Sequence, residues 1–215
     1  MSKLDELSQA VEAGKAKLVP ALVQAALDEG NSATDVLNVG MIDAMDRVGE
    51  KFKNGDIFVP EMMIAARAMK TGVEILKPYL ASSGSAFIGK YVMGTVYGDL
   101  HDIGKNLVIM MIEAAGFEVI DLGIDVPVEK FVEAVENDPE VKIVGVSALL
   151  TTTMPAMKET VEALNESAVR DRFKIMVGGA PVTQEFADEI KADVYTADAA
   201  SAAQKAKELV LGLAG

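Results

Sequence analysis

The hydrophobic periodicity of this chain of 215 residues changes near residue 80. Before that point apolar residues recur three and four positions apart, which predicts amphipathic helices. After it, short apolar runs alternate with helical patterns, which predicts successive β-α units. The chain is therefore expected to fold into two parts of different structural class.

The first part contains four candidate helices. They cover roughly residues 4–14, 16–30, 33–52 and 60–77. Asn31 and Ser32 offer caps for the third helix, and Pro60 suits the first turn of the fourth. Pro78 is expected to end that fourth helix. We therefore predict an N-terminal four-helix bundle over residues 1–82.

A short segment of small and polar residues, 83–90, separates the two parts and predicts a linker. Beyond it, residues 91–215 contain five candidate strands. They are 91–96, 117–122, 141–147, 173–178 and 193–196. Because these strands are short apolar runs with helices between them, we predict an α/β domain with a doubly wound, five-stranded parallel sheet.

Charge and composition exclude several classes of function. Acidic residues outnumber basic ones by 33 to 20, so the net charge of −13 argues against binding nucleic acid or an anionic membrane surface. The absence of cysteine removes disulfides, thiolate metal sites and cysteine nucleophiles. A single histidine also excludes any metal motif that requires two histidines.

The first residues lack the apolar core of a signal peptide, and no run of about 18 apolar residues suggests a membrane span. We therefore expect no membrane partner and a cytoplasmic location.

The chemistry is expected in the loops that follow the strands, because ligands of doubly wound sheets bind beyond the carboxyl ends of the strands. His101, the only histidine, follows the first strand. Asp99 could hold one of its ring nitrogens while the other binds a metal, and Gly104 would let a bulky planar group approach the backbone. The alternative is that His101 is a surface residue and Asp99 a helix cap.

One histidine can anchor a metal that arrives already chelated by an organic ring, because such a metal needs only one axial ligand from the protein. Haem and corrinoids are the two candidates. Haem pockets are usually lined by aromatic residues, which make up only 5% of this chain. The small residues around a parallel sheet favour a corrinoid.

Three motifs stand in order at the predicted strand ends. Residues 98–105, GDLHDIGK, resemble the DxHxxG signature of cobalamin-binding domains. Residues 147–149, SAL, resemble their SxL element, and residues 178–179 resemble their double glycine. The helical part, 49–76, resembles the helical domain that precedes the cobalamin domain in methionine synthase and in corrinoid proteins of methyltransferase systems. The chain as a whole resembles the small corrinoid proteins of the methylamine and methanol type.

The resemblance implies a flavodoxin-like cobalamin-binding domain and a role for each matched residue. His101 would be the lower axial ligand of a base-off cobalamin, whose own dimethylbenzimidazole has left the cobalt. Asp99 would accept the other imidazole N–H. The third member of the family's proton relay is a hydroxyl six residues after Ser147, which is Thr153 here.

The remaining candidate cofactor-binding residues follow from the same resemblance. They are Gly98, Asp102, Ile103, Gly104, Ser147, Leu149, Thr151, Thr152, Gly178, Gly179, Tyr195, Ala197 and Asp198. Methionines of the helical part, Met62 and Met63 first among them, are candidates to cover the upper corrin face. Methionine at helical spacing is more often core filler, so this alternative stays open.

The implied function is that of a methyl carrier, which accepts a methyl group on cobalt(I) and delivers it from methylcobalt(III). Its implied partners are a substrate-specific methyltransferase and a second methyltransferase with a folate or thiol acceptor, with a reductive activator also possible. No second cofactor motif is present, so the chain is not expected to catalyse methyl transfer alone. The alternatives are a subunit of an adenosylcobalamin mutase, a cobalamin sensor, or a flavodoxin-like receiver or FMN domain without cobalamin.

Overall fold

The computed structural model describes residues 2–81 and 87–212. The chain divides into two compact units. The first comprises residues up to Ile88 together with Glu113–Gly116, and the second comprises Gly89–Ile112 and the residues from Phe117 onward. The first half of the predicted linker, residues 83–86, lies outside the described residues.

The first unit is helical. Its helices are α1 (Lys3–Glu12), α2 (Val19–Asp28), α3 (Ala33–Leu37), α4 (Asp43–Lys53) and α5 (Val59–Ala81). Ser32 caps α3 by accepting a hydrogen bond from the Asp35 N–H, as the sequence predicted. At α5 the direction is reversed, because the carboxylate of Glu61 in the first turn accepts from the N–H of Phe58 just before the helix.

The predicted third helix, 33–52, is helical throughout, but it is not a regular α-helix over its whole length. A π-helical segment, Asn38–Ile42, separates α3 from α4. Gly40 lies in this segment, and a Cβ atom there would stand 2.9 Å from a methyl group of Leu7 on α1. The wider turn keeps Met41 buried and turns Val39 outward, so close packing on α1 outweighs the regular helical period.

Pro78 does not end the fourth predicted helix, because α5 continues to Ala81. Proline has no N–H, so the Glu74 carbonyl loses its bond in the helical ladder. This loss falls in the last turn, where only one turn of helix remains to be strained. Apolar burial of Leu76 and Leu80 on either side of Pro78 favours continuation.

The second unit is an α/β domain with a five-stranded, all-parallel sheet. Its strands are β1 (Lys90–Val96), β2 (Glu118–Val126), β3 (Val141–Ser147), β4 (Lys174–Gly178) and β5 (Val194–Tyr195). Its helices are α6 (Ile103–Ala114), α7 (Val128–Asn137), α8 (Met154–Glu166), α9 (Gln184–Glu189) and α10 (Ala199–Leu211). The strand order is β2-β1-β3-β4-β5, so the predicted fold class is confirmed.

The second strand is longer than the sequence suggested. The predicted strand ended at residue 122, whereas β2 reaches Val126. Its pairing with β1 shifts register twice near Gly94, so β2 contains two more residues than β1 over the same length. Gly123 and Asp125 both have positive φ, +90° and +52°. These bends interrupt the apolar pattern by which a strand is recognised in the sequence.

Within the described ranges, no helix is long and apolar enough to cross a bilayer.

Candidate functional site

The strand order changes direction at β1, which pairs with both β2 and β3. In the β1–β3 register Thr95 lies beside Ser147, so both strands end at the same point of the sheet. The loop after β1 carries Asp99 and His101, and the loop after β3 carries Leu149 and the residues up to 153. The site therefore lies at the topological switch point of the sheet.

Asp99 and His101 form the centre of this site. The Asp99 side chain is fully buried, whereas 47% of the His101 side chain is exposed. His101 Nδ1 lies 2.6 Å from Asp99 Oδ1, and the His101 backbone N–H donates to the same oxygen at 3.1 Å. Because an ionised carboxylate only accepts, Nδ1 carries the proton and a neutral ring has its lone pair at Nε2.

The second carboxylate oxygen of Asp99 is held from the β3 side. The Leu149 N–H donates to Oδ2 at 2.7 Å, and Thr153 Oγ1 lies 2.8 Å from it. Burial raises the pKa of Asp99, but the hydrogen bonds from Leu149, His101 and Thr153 outweigh it and hold that pKa well below its ordinary value of 3.8. Asp99 is therefore a fixed anion that joins both loops.

Replacing Asp99 by asparagine should lower the stability of the cofactor-free protein at neutral pH by about 2 kcal/mol, because an amide NH₂ group would face the N–H donors of His101. Because the native pKa of Asp99 lies below its unfolded value of 3.8, the ionised carboxylate stabilises the fold fully above that pH. The contribution is lost as the pH falls from 3.8 toward the native pKa. The difference in urea midpoint between wild type and Asp99→Asn should therefore shrink in acid. A constant difference across pH would contradict the ionised state.

Thr153 lies in a short 3₁₀ turn, Thr151–Thr153, directly before α8, and it is buried. Its hydroxyl approaches the Leu150 carbonyl at 3.0 Å as well as Asp99. We expect Thr153→Val to destabilise the cofactor-free protein by about 1–2 kcal/mol, because it removes a donor to a buried carboxylate. Thr153→Ser keeps the hydroxyl and should lose less than half as much in urea unfolding. An equal loss in both variants would contradict this expectation, because the methyl group removed in Thr153→Ser would then matter as much as the hydroxyl removed in Thr153→Val.

A second polar contact closes the base of the loop. Thr95 Oγ1 donates to the His101 carbonyl at 3.0 Å and lies 2.9 Å from Ser147 Oγ. Thr95 was not among the predicted site residues, although a buried hydroxyl residue near the end of an apolar strand is the signal that would have found it. Ser147, the last residue of β3, is therefore also in contact with β1 through Thr95.

The double glycine lies at the end of β4 and shows why side chains are missing there. Gly179 has φ +136°, and a Cβ atom built on it would overlap the Ala148 carbonyl oxygen. At Gly178 the same atom would lie 3.1 Å from the Thr196 carbonyl oxygen. By contrast, a Cβ built on Gly104 meets no described atom within 4 Å, so open space adjoins the start of α6.

Other predicted residues lie at the same sheet edge with different contacts. Thr151, Thr152, Ile103 and Ala197 are exposed, and Tyr195 is half-buried. Asp102 accepts from the Asn106 amide at 3.3 Å. Asp198 caps α10 through the Ser201 N–H and hydroxyl, which commits both of its carboxylate oxygens to the helix.

The two methionines predicted in the helical unit differ in exposure. Met62 is fully buried, and Met63 is 42% exposed. Phe58 is more exposed still, whereas Met69 is buried. Burial places Met62 and Met69 in the core-filler alternative, while Met63 and Phe58 present apolar surface.

The loops at this edge of the second unit, together with the end of β2, carry an apolar rim of exposed side chains. Its members share large side chains that are at least 39% exposed: Tyr97, Leu100, Ile103, Ile124, Leu149 and Leu150. Four of them, all except Ile103 and Leu149, were not predicted from the sequence. Among the described residues, no group of three or more His, Asp or Glu side chains could hold a metal ion. One tethered imidazole beside an apolar rim suits the class of domain that binds a metal already chelated by a large organic ring.

Comparison with known proteins identifies that class. Residues 89–206 match a family model described as a B12 binding domain, and residues 3–77 match a second model of the same description. The chain belongs to the family of B12-binding corrinoid proteins. Cobalamin is therefore its cofactor class, as the resemblance implied.

The relatives cover nearly the whole chain. A corrinoid protein of Desulfitobacterium hafniense (strain Y51) is 44% identical over 98% of this chain and 98% of its own length. A dimethylamine corrinoid protein of Methanosarcina acetivorans is 44% identical over 97% and 96%. A methanol:cobalamin methyltransferase complex from Methanosarcina barkeri contains a chain with 32% identity and a TM-score of 0.84, covering 98% of this chain and 80% of that one.

The described residues fit a corrinoid. His101 offers Nε2 on an exposed ring whose orientation Asp99 holds. The open space beside Gly104 leaves room for a bulky ring at the backbone. The apolar rim would shield its underside from water.

Proposed function

We propose that this chain is a methyl carrier that works between two methyltransferases. The observation that carries the proposal is a single exposed imidazole, tethered through Nδ1 to a buried carboxylate, in a chain matched end to end by dimethylamine corrinoid proteins. When bound, the corrinoid supplies a cobalt centre that takes up and gives away a methyl group. The protein supplies a ligand, an oriented pocket and protection from water.

His101 is the proposed lower axial ligand, acting through Nε2 on a base-off cofactor. Asp99 accepts the hydrogen bond from Nδ1–H, which leaves the Nε2 lone pair available as a ligand. Thr153 and the Leu149 N–H stabilise the Asp99 anion in turn. These bonds thus hold the ring so that Nε2 stays aimed at one point.

A substrate-specific methyltransferase is the proposed first partner, in line with the similarity to a corrinoid chain in a methyltransferase complex. A second methyltransferase, with a folate or thiol acceptor, and a reductive activator complete the proposed cycle. The mutase, sensor and FMN-domain alternatives gain no support, since the relatives that span the whole chain are corrinoid proteins.

The test starts from purified, tag-free protein titrated with hydroxocobalamin and followed by absorption spectroscopy. We expect one cofactor per chain and a base-off spectrum with a histidine ligand. The loaded protein, reduced and mixed with a dimethylamine or a methanol methyltransferase, should then take up the methyl group of the matching donor. Binding without uptake from either donor would leave a cobalamin protein that is not a carrier for these systems.

A further inference from the structure

The irregular end of β2 contacts the ligand loop from the side opposite to β3. The Gly98 N–H donates to Asp125 Oδ1 at 2.7 Å. The Asp125 backbone N–H donates to the Asp99 carbonyl at 3.0 Å. Asp125 therefore binds the two peptide groups that flank the Gly98–Asp99 peptide, at the start of the loop that carries His101.

This contact depends on an unusual backbone conformation. Asp125 has φ +52°, in the left-handed region that few residues other than glycine adopt. The two register shifts between β1 and β2 turn the end of β2 toward the loop. Backbone strain and strand bulges of this kind concentrate beside functional sites.

A buried cation holds the same end of β2 in place. Lys105 on α6 is almost completely buried, and its Nζ lies 2.7 and 2.8 Å from the two carboxylate oxygens of Asp121. Asp121 Oδ1 also accepts from the Gly123 N–H at 2.9 Å. The bulged segment is thereby fixed to the helix that begins just after His101.

We propose that Asp125 is a positioning residue that sets the orientation of Asp99, and through it the aim of the His101 ring. The Asp99 side chain bonds to His101, Leu149 and Thr153. Its main chain has two described partners: the Asp99 N–H donates to the Val96 carbonyl on β1, and the Asp99 carbonyl accepts from the Asp125 N–H on β2. Without the Asp125 carboxylate the Gly98 N–H loses its acceptor. The turn that leads into Asp99 is then no longer fixed from β2, and the ring no longer points one way. The consequence for the cofactor rests on the proposed ligation by His101.

Three variants separate positioning from folding. Asp125→Gly accepts the positive φ but removes the side-chain acceptor for Gly98. Asp125→Asn keeps an acceptor oxygen and tolerates the same backbone region. Lys191→Gly is the matched control, because Lys191 is the other described non-glycine residue with positive φ, +60°, and it precedes β5 at the opposite edge of the sheet.

The first readout needs no cofactor. Protein labelled with ¹⁵N-histidine has one pair of ring-nitrogen signals, because the chain has one histidine. In the cofactor-free protein we expect wild type, Asp125→Asn and Lys191→Gly to show the same Nδ1–H form bonded to Asp99. Asp125→Gly should show a shifted or broadened pair at an unchanged far-UV circular dichroism spectrum. Unchanged ring signals in Asp125→Gly would overturn the proposal, as would equal changes in Lys191→Gly.

The second readout uses hydroxocobalamin. The fraction of cofactor with a histidine ligand should be roughly fivefold lower in Asp125→Gly than in wild type, as expected for one lost hydrogen bond to a charged acceptor, and restored in Asp125→Asn. If the ¹⁵N signal of wild-type Nε2 does not shift when hydroxocobalamin is added, the proposed ligation by His101 is wrong. The comparison of the cofactor-free proteins still decides the role of Asp125 in that case. If ligation occurs equally in all four proteins, the positioning role is excluded.

Discussion

His101→Ala is expected to lose the histidine-ligated cobalamin spectrum and to hold the cofactor on the order of 10- to 100-fold more weakly. Losses of this size follow removal of groups that merely orient a metal ligand, so removal of the ligand itself should cost at least as much. The fold should survive, because nearly half of the His101 side chain is exposed. Hydroxocobalamin titration, followed by absorption, measures both effects.

Two controls make this result specific. Urea unfolding of the cofactor-free variant should show a midpoint close to wild type, although Asp99 loses one partner. Free imidazole added to the loaded variant should restore part of the ligated spectrum, since the deleted ring leaves its space open. An unchanged spectrum in His101→Ala would refute the ligand assignment, and methyl-transfer rates equal to wild type would refute its role in the cycle.

Adding one methyl group at two glycines of this site should have opposite consequences. Gly179→Ala places a Cβ onto the Ala148 carbonyl in a backbone region that alanine disfavours. We expect it to lose about 3 kcal/mol or more of unfolding free energy, enough to impair folding of the sheet unit. Gly104→Ala has ordinary φ and open space, and alanine is the better helix former.

Gly104→Ala should therefore fold as well as wild type or slightly better, yet bind cobalamin about tenfold more weakly. The loss corresponds to forcing a methyl group into space that the corrinoid fills. Urea unfolding without cofactor and hydroxocobalamin titration distinguish the two variants. If Gly104→Ala binds the cofactor like wild type, the open space beside α6 is not part of the corrinoid site.

Several features were accessible from the sequence because they depend on local pattern. The change of hydrophobic period predicted a helical part before the sheet, and alternating β-α units predicted the parallel sheet. His101, as the only histidine, stood out at a strand end beside Asp99, and the structure brings those two side chains to 2.6 Å. The order of the three motifs was sufficient to assign the cofactor class.

Features that depend on pairing between distant segments were not accessible. The π-helical segment arises from close packing of Gly40 on Leu7, which a regular period does not show. The end of β2 was assigned four residues too early, since bulges and positive φ angles break the apolar pattern there. Thr95 and Asp125 were missed for the same reason, because their significance lies in contacts across strands.

The sequence by itself determined the class of each part, and it predicted the strand ends that carry the site and the residue proposed as the ligand. Periodicity, glycine placement and rare residue types are local properties, so they can be recognised without knowing which residues are in contact. Only the tertiary structure decided which ring nitrogen is held, how deeply Asp99 is buried and that Asp125 clamps the loop from β2. Those properties depend on hydrogen bonds between segments that come together only when the sheet forms.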